Sequence, residues 1–171
     1  MESYLESCKT LSLTAREAIA LLIIERFCNK NSVNSDYTTE FLEYMWQYPL
    51  IRYPDEFCSW EEAKPELVNC GLGDSFPEAL KSQLQGSGVS EHVFRTLIEG
   101  TVEILWSSFW GSANNQISYE SLKQVIIASK LHHLPCLTPF KFSLFHEGDG
   151  WGKEKITNED VEFWRKTSQI G

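Results

Sequence analysis

The chain has 171 residues, is 42% apolar and 13% aromatic, and carries a formal net charge of −9. That size and composition predict one compact core burying roughly 70% of the unfolded surface, and they exclude a disordered chain. The acidic balance argues against nucleic acid or an anionic membrane as partner, since like charge repels both.

The predicted elements are mostly helical. Tyr4, Leu5, Cys8 and Leu11 recur at three- and four-residue steps, which predicts a short amphipathic helix at the start. Thr14 and Glu17 read as a capping box opening a helix through AREAIALLIIERFCNK. Ile19, Leu22, Ile23 and Phe27 form its stripe, widened by Leu21, Ile24 and Cys28, as suits a helix central to a bundle. The next helix is expected from Thr38 to Tyr48, with Phe41, Leu42, Met45 and Trp46 inward and Glu40 and Glu43 outward. Pro49 and Pro54 bound an extended or turning stretch. Ser59 with Glu62, and Ser75 with Glu78, read as two further capping boxes.

Gly86-Ser87-Gly88 marks an inter-helix loop. A long periodic segment follows from Ser90 to Trp110, with Val93, Phe94, Leu97, Ile98, Leu105, Trp106 and Phe109 facing the core and Gly100 placed for close packing or a kink. Ser118 is the expected cap of the next helix, whose buried side is Leu122, Val125, Ile126 and Leu131. From Pro135 the pattern alternates through Phe140, Phe142 and Leu144, which predicts a short strand or β-hairpin near residues 138 to 147. Thr157 with Asp160 caps a last short helix anchored by Val161 and Trp164. The expected fold is therefore mostly α: a single domain over residues 1–171, a bundle of about six helices with one short C-terminal β-hairpin.

Five scattered cysteines (Cys8, Cys28, Cys58, Cys70 and Cys136) without a CxxC pair suit reduced thiols. The N-terminus lacks a basic leader, and its apolar run from Ile19 to Ile24 is short and flanked by Glu17, Glu25 and Arg26. Neither a signal peptide nor a membrane span is expected, and a cytoplasmic protein is.

Motifs for chemistry are sparse. Asp149 to Asp160 has the outline of an EF-hand loop, but Trp151, Lys153 and Glu154 occupy positions that need oxygen ligands or the turn glycine. A second outline, Trp110 to Ser121, fails in the same way. His132, His133 and Cys136 lack a second cluster to complete a tetrahedral metal site. There is no G-x-S-x-G elbow and no phosphate-binding glycine loop, so neither an enzyme nor a cofactor or metal is expected.

The most informative block is residues 36 to 66. Its acids are Asp36, Glu40, Glu43, Asp55, Glu56, Glu61, Glu62 and Glu66, opposed only by Arg52 and Lys64, which is six of the chain's nine excess negative charges. The same block holds Tyr37, Phe41, Tyr44, Trp46, Tyr48, Tyr53, Phe57 and Trp60. Two readings follow: core aromatics under a solvated acidic surface, or a binding face that joins aromatic anchors to charge. On the second, helical phasing leaves Glu40, Glu43, Tyr53, Asp55, Glu56, Glu61 and Glu62 for a basic protein partner.

The overall acidic character, with the late stretch FHEGDGWGKEKITNEDVEFWR, resembles the small immunity proteins of bacterial toxin–immunity systems, including contact-dependent inhibition and polymorphic toxins. That resemblance implies a non-enzymatic antitoxin that binds a cognate basic toxin domain, a nuclease by preference, with no nucleic acid or membrane partner. The alternative is a protein-interaction or regulatory module built on degenerate EF-hand-like helix pairs. A third reading, an enzyme using His92, His146 and a carboxylate, has no motif behind it.

Overall fold

A computed structural model describes residues 1–153 and 155–166. It is mostly helical. Among the described residues there are nine α-helices: α1 (Glu2–Cys8), α2 (Leu13–Asn31), α3 (Asp36–Met45), α4 (Pro54–Glu62), α5 (Glu66–Gly71), α6 (Glu78–Gly86), α7 (Glu91–Trp106), α8 (Asn115–Ser129) and α9 (Asn158–Lys166). About six were expected. Proline accounts for part of the excess, because Pro54 occupies the first turn of α4 and Pro65 is the N-cap of α5, dividing the middle of the chain into short pieces.

Helix α2 is the centre. Every residue from Leu13 to Ile24 is buried, and α3, α7 and α8 pack around it. An α-helix apolar on nearly all sides needs such a position. Helices α7 and α8 lie backbone to backbone at Gly100, where a Cβ would meet Val125 Cγ2 at 2.8 Å and the Ser121 carbonyl at 3.1 Å. Gly100 therefore serves close packing, and α7 runs through it unbroken.

The cap of α2 is Ser12, not Thr14. The Ser12 Oγ accepts from the Ala15 amide at 3.1 Å, while Thr14 donates its hydroxyl to the Trp151 carbonyl at 2.7 Å. Asn114 likewise replaces Ser118 as the cap of α8, and Ser59 lies inside α4. Helix α6 follows Pro77 with no side-chain cap. The Thr157–Asp160 box forms as expected, with Asp160 accepting from the Thr157 amide at 2.8 Å.

No hairpin forms at residues 138 to 147. Pro139 sits in a 3-10 turn over Thr138–Phe140, which keeps the two halves of this segment from pairing. Its strand-like backbone pairs with residues 10–12 in an isolated antiparallel bridge between Leu11 and Leu144. Ser12 donates to the Ser143 carbonyl at 3.1 Å and Phe145 to the Thr10 carbonyl at 2.9 Å.

This junction holds the most crowded glycine among the described residues. Gly152 has φ +97, and an added Cβ would overlap Ser143 Oγ and approach Ser12 Cβ at 2.6 Å. Gly152→Ala combines a left-handed backbone with a steric clash, so about 3 kcal/mol of stability should be lost. A urea midpoint equal to wild type would show that this loop yields easily.

Arg16 is fully buried on α2, and no carboxylate among the described residues forms an ion pair with it. Neutral oxygens hold it. Its Nε donates to the Cys8 carbonyl at 3.1 Å and Nη2 to the Lys9 carbonyl at 2.8 Å, both at the negative end of α1. Nη1 donates to Ser118 Oγ at 2.6 Å and to the Asn115 carbonyl at 2.9 Å, and Nη2 to Asn115 Oδ1 at 2.6 Å. The rings of Phe145 and Tyr119 lie 5.5 and 5.9 Å from the guanidinium carbon. Burial lowers its pKa to about 10, which still leaves it charged at neutral pH. One side chain thereby ties α1, α2 and α8 together.

Candidate functional site

Helix α4 begins abruptly. Tyr53 is extended, as the residue before a proline must be, and Glu56 Oε2 accepts from the amides of Arg52 (2.9 Å) and Tyr53 (3.3 Å). The inward side of α4 then presents Phe57 and Trp60 to an aromatic cluster. Trp60 stacks on Tyr44 with centroids 4.5 Å apart and planes 9° off parallel. The two rings also exchange hydrogen bonds: Tyr44 donates to the Trp60 carbonyl at 2.9 Å, and Trp60 Nε1 to the Tyr44 carbonyl at 3.1 Å. Tyr48, Phe57, Trp106 and Phe109 surround Trp60 within 6.0 Å. Phe109 in turn stacks on Trp151 at 5.8 Å.

The cluster does not close over. Trp110 is 81% exposed and stands edge-on to Phe57 at 6.4 Å, while Tyr53 is 62% exposed. Trp110 escaped the sequence reading because the Ser90–Trp110 periodicity was continued to its end. Helix α7 stops at Trp106 and residues 107–110 form turns, with no glycine or proline between Trp106 and Gly111 to mark the earlier stop.

The seven residues expected at a binding face divide into groups. Tyr53, Asp55, Glu56, Glu61 and Glu62 belong to α4 or its N-cap. Glu40 and Glu43 are exposed on α3, whose C-terminal end meets that of α4 through the Tyr44–Trp60 stack. Glu56 is engaged in the α4 cap, and Glu61, half-buried, pairs with Lys64. Asp55 and Glu62 remain as the exposed acids of α4 whose carboxylates have neither of these duties.

Beneath the cluster lies Glu17. It is fully buried, and neither carboxyl oxygen has a hydrogen-bond partner. Burial raises its pKa well above the ordinary 4.5, so the group is held toward its neutral form. Burial also raises the Tyr48 hydroxyl above its ordinary range, and the nearby Glu17 adds to this.

The other candidate groups lie apart. His132, His133 and Cys136 are exposed beyond the end of α8, where hydrogen bonds from Thr138 hold the Cys136 thiol below its ordinary range. His92 and His146 are exposed. Asp160, the last position of the first EF-hand outline, caps α9 and pairs with Lys153 at 3.1 Å. The segment before that outline is turns and a 3-10 turn, not a helix. Among the described residues no three His, Cys, Asp or Glu side chains converge as a metal site, and no helix is long and apolar enough to cross a membrane. Comparison with family models, curated proteins and solved structures finds no match.

Proposed function

We propose that this chain is a non-enzymatic binding protein of the immunity or antitoxin kind, which captures a basic toxin domain in the cytoplasm. The observation that carries this reading is Trp110: 81% exposed, set against Phe57, and within one aromatic cluster shared with α4. Tyr53, the N-cap of α4, is a second exposed aromatic, and Asp55 and Glu62 supply negative charge on that helix. The occupant that fits is a basic protein surface, because the chain carries −9 overall and six of those charges fall between residues 36 and 66. A nuclease domain is the preferred partner, since a protein built to grip phosphates offers a complementary cationic groove.

The reading is tested by co-purification with the product of the adjacent gene and by growth rescue of cells expressing that product. Trp110→Ala should weaken capture by about 30-fold or more, the scale of a hot-spot tryptophan, without moving the thermal midpoint. Changing Glu40, Glu43, Asp55 and Glu62 to lysine should abolish capture; Glu56 is left in place because it caps α4. Wild-type capture by both variants would overturn the proposal.

A further inference from the structure

Beside α4, on the side of the 148–156 segment, a cavity of about 440 Å³ opens between Tyr48, Phe57 and Trp151. Its volume lies within the roughly 300–1,000 Å³ range of small-molecule sites. The walls are preformed. Trp151 is held by its stack on Phe109 at 5.8 Å and by the bond from Thr14 to its carbonyl at 2.7 Å.

Its charge is opposite to that of the protein. Among the described residues no acid lines this cavity, whose charged groups are Arg52 and Lys153. Lys153 already faces Asp160 at 3.1 Å. Arg52 forms no ion pair among the described residues and donates only at 3.3 Å, from one Nη, to the Ile156 carbonyl at the cavity edge. A guanidinium at an aromatic-walled cavity supplies a fork for an anionic head group beside an apolar surface for a ring.

We infer that this cavity is a binding site for a planar aromatic molecule bearing one anionic group, the ring packing against the wall formed by Tyr48, Phe57 and Trp151 and the anion on Arg52. The site shares Tyr53 and Phe57 with the docking face, but Arg52, Trp151 and Lys153 lie outside the set of residues proposed for that face, so variants at Arg52 and Lys153 separate the two. The test uses two dyes of matched shape on the full chain: anilinonaphthalene sulfonate, an aromatic anion, and its uncharged counterpart N-phenylnaphthylamine. The sulfonate should bind at one saturable site and quench tryptophan emission. Arg52→Gln should weaken the sulfonate about tenfold while changing the neutral dye less than about twofold. Lys153→Gln should weaken the sulfonate by a smaller factor, since Asp160 already neutralises that ammonium. The urea midpoint of each variant is measured alongside, so that dye taken up by a loosened fold is recognised. Unsaturable sulfonate binding, an Arg52→Gln variant that binds it as wild type does, or equal loss of both dyes would overturn the assignment.

Discussion

Arg16→Ala should cost about 4 kcal/mol, a large fraction of the roughly 5–15 kcal/mol that holds a domain together. The substitution removes more than a charge. It takes a donor from the carbonyls of Cys8, Lys9 and Asn115, from Asn115 Oδ1 and from Ser118 Oγ; of these the Cys8 carbonyl keeps the Leu11 amide and the Asn115 carbonyl the Ser118 hydroxyl, each at 3.3 Å. An orphaned buried acceptor is worth about 1–3 kcal/mol, and the few that water can reach will recover part of that. At roughly 2–4 °C per kcal/mol for a chain of this size, the thermal midpoint should fall by about 8–16 °C. Arg16→Lys should recover little, because three donors on a point charge cannot span five acceptors at the ends of two other helices. Urea denaturation followed by circular dichroism decides; a loss under about 1 kcal/mol would mean that water replaces the guanidinium.

Glu17 should behave in the opposite sense. Its pKa in the folded chain is raised, so between the ordinary value near 4.5 and the folded value the native state binds more protons than the unfolded state. Stability therefore falls as pH rises through that window, by up to about 1.4 kcal/mol per pH unit, and levels off above the folded value. Glu17→Met removes both the unpartnered oxygens and the titration. It should stabilise the fold by about 2 kcal/mol at neutral pH, with a smaller gain at pH near 4.5. Glu17→Gln flattens the pH profile but keeps a buried unsatisfied amide, so its gain should be less. Urea midpoints measured from about pH 4.5 to 8 separate these cases. Parallel profiles for wild type and Glu17→Met would mean that the carboxyl is hydrated.

These two adjacent residues also mark where reading the sequence succeeds and where it stops. The apolar stripe Ile19–Phe27 identified the central helix, and Phe41, Met45, Phe94, Leu97, Leu122 and Val125 are buried as helical phasing required. Periodicity is a property of neighbours along the chain, so it survives in the sequence. The capping reading failed at Glu17 because Ser12, two residues before Thr14, is the true cap. What orients Ser12 is Ser143, whose Oγ lies 2.8 Å from its own at a separation of 131 residues. The expected hairpin failed for the same reason: Leu144 has a strand's alternation, but its partner is Leu11. The acidic half of the candidate face was legible as composition. Trp110 was visible as a residue and misplaced as helix, since its exposure depends on α7 ending one turn earlier.

The contact between residues 10–12 and 143–145 imposes an order on biosynthesis. Ser12 waits for Ser143, Thr14 for Trp151 and Arg16 for Asn115, at separations of 131, 137 and 99 residues. At roughly 5–20 residues per second, a ribosome needs about 7–26 s to supply Ser143 after Ser12 has been made. Until then the central helix of the fold lacks the hydroxyl that orients its Ser12 cap and the α8 acceptors of Arg16, and Arg16 and Glu17 keep that end of it in water. The groups that are hardest to satisfy in the finished core are the ones that solubilise the nascent helix.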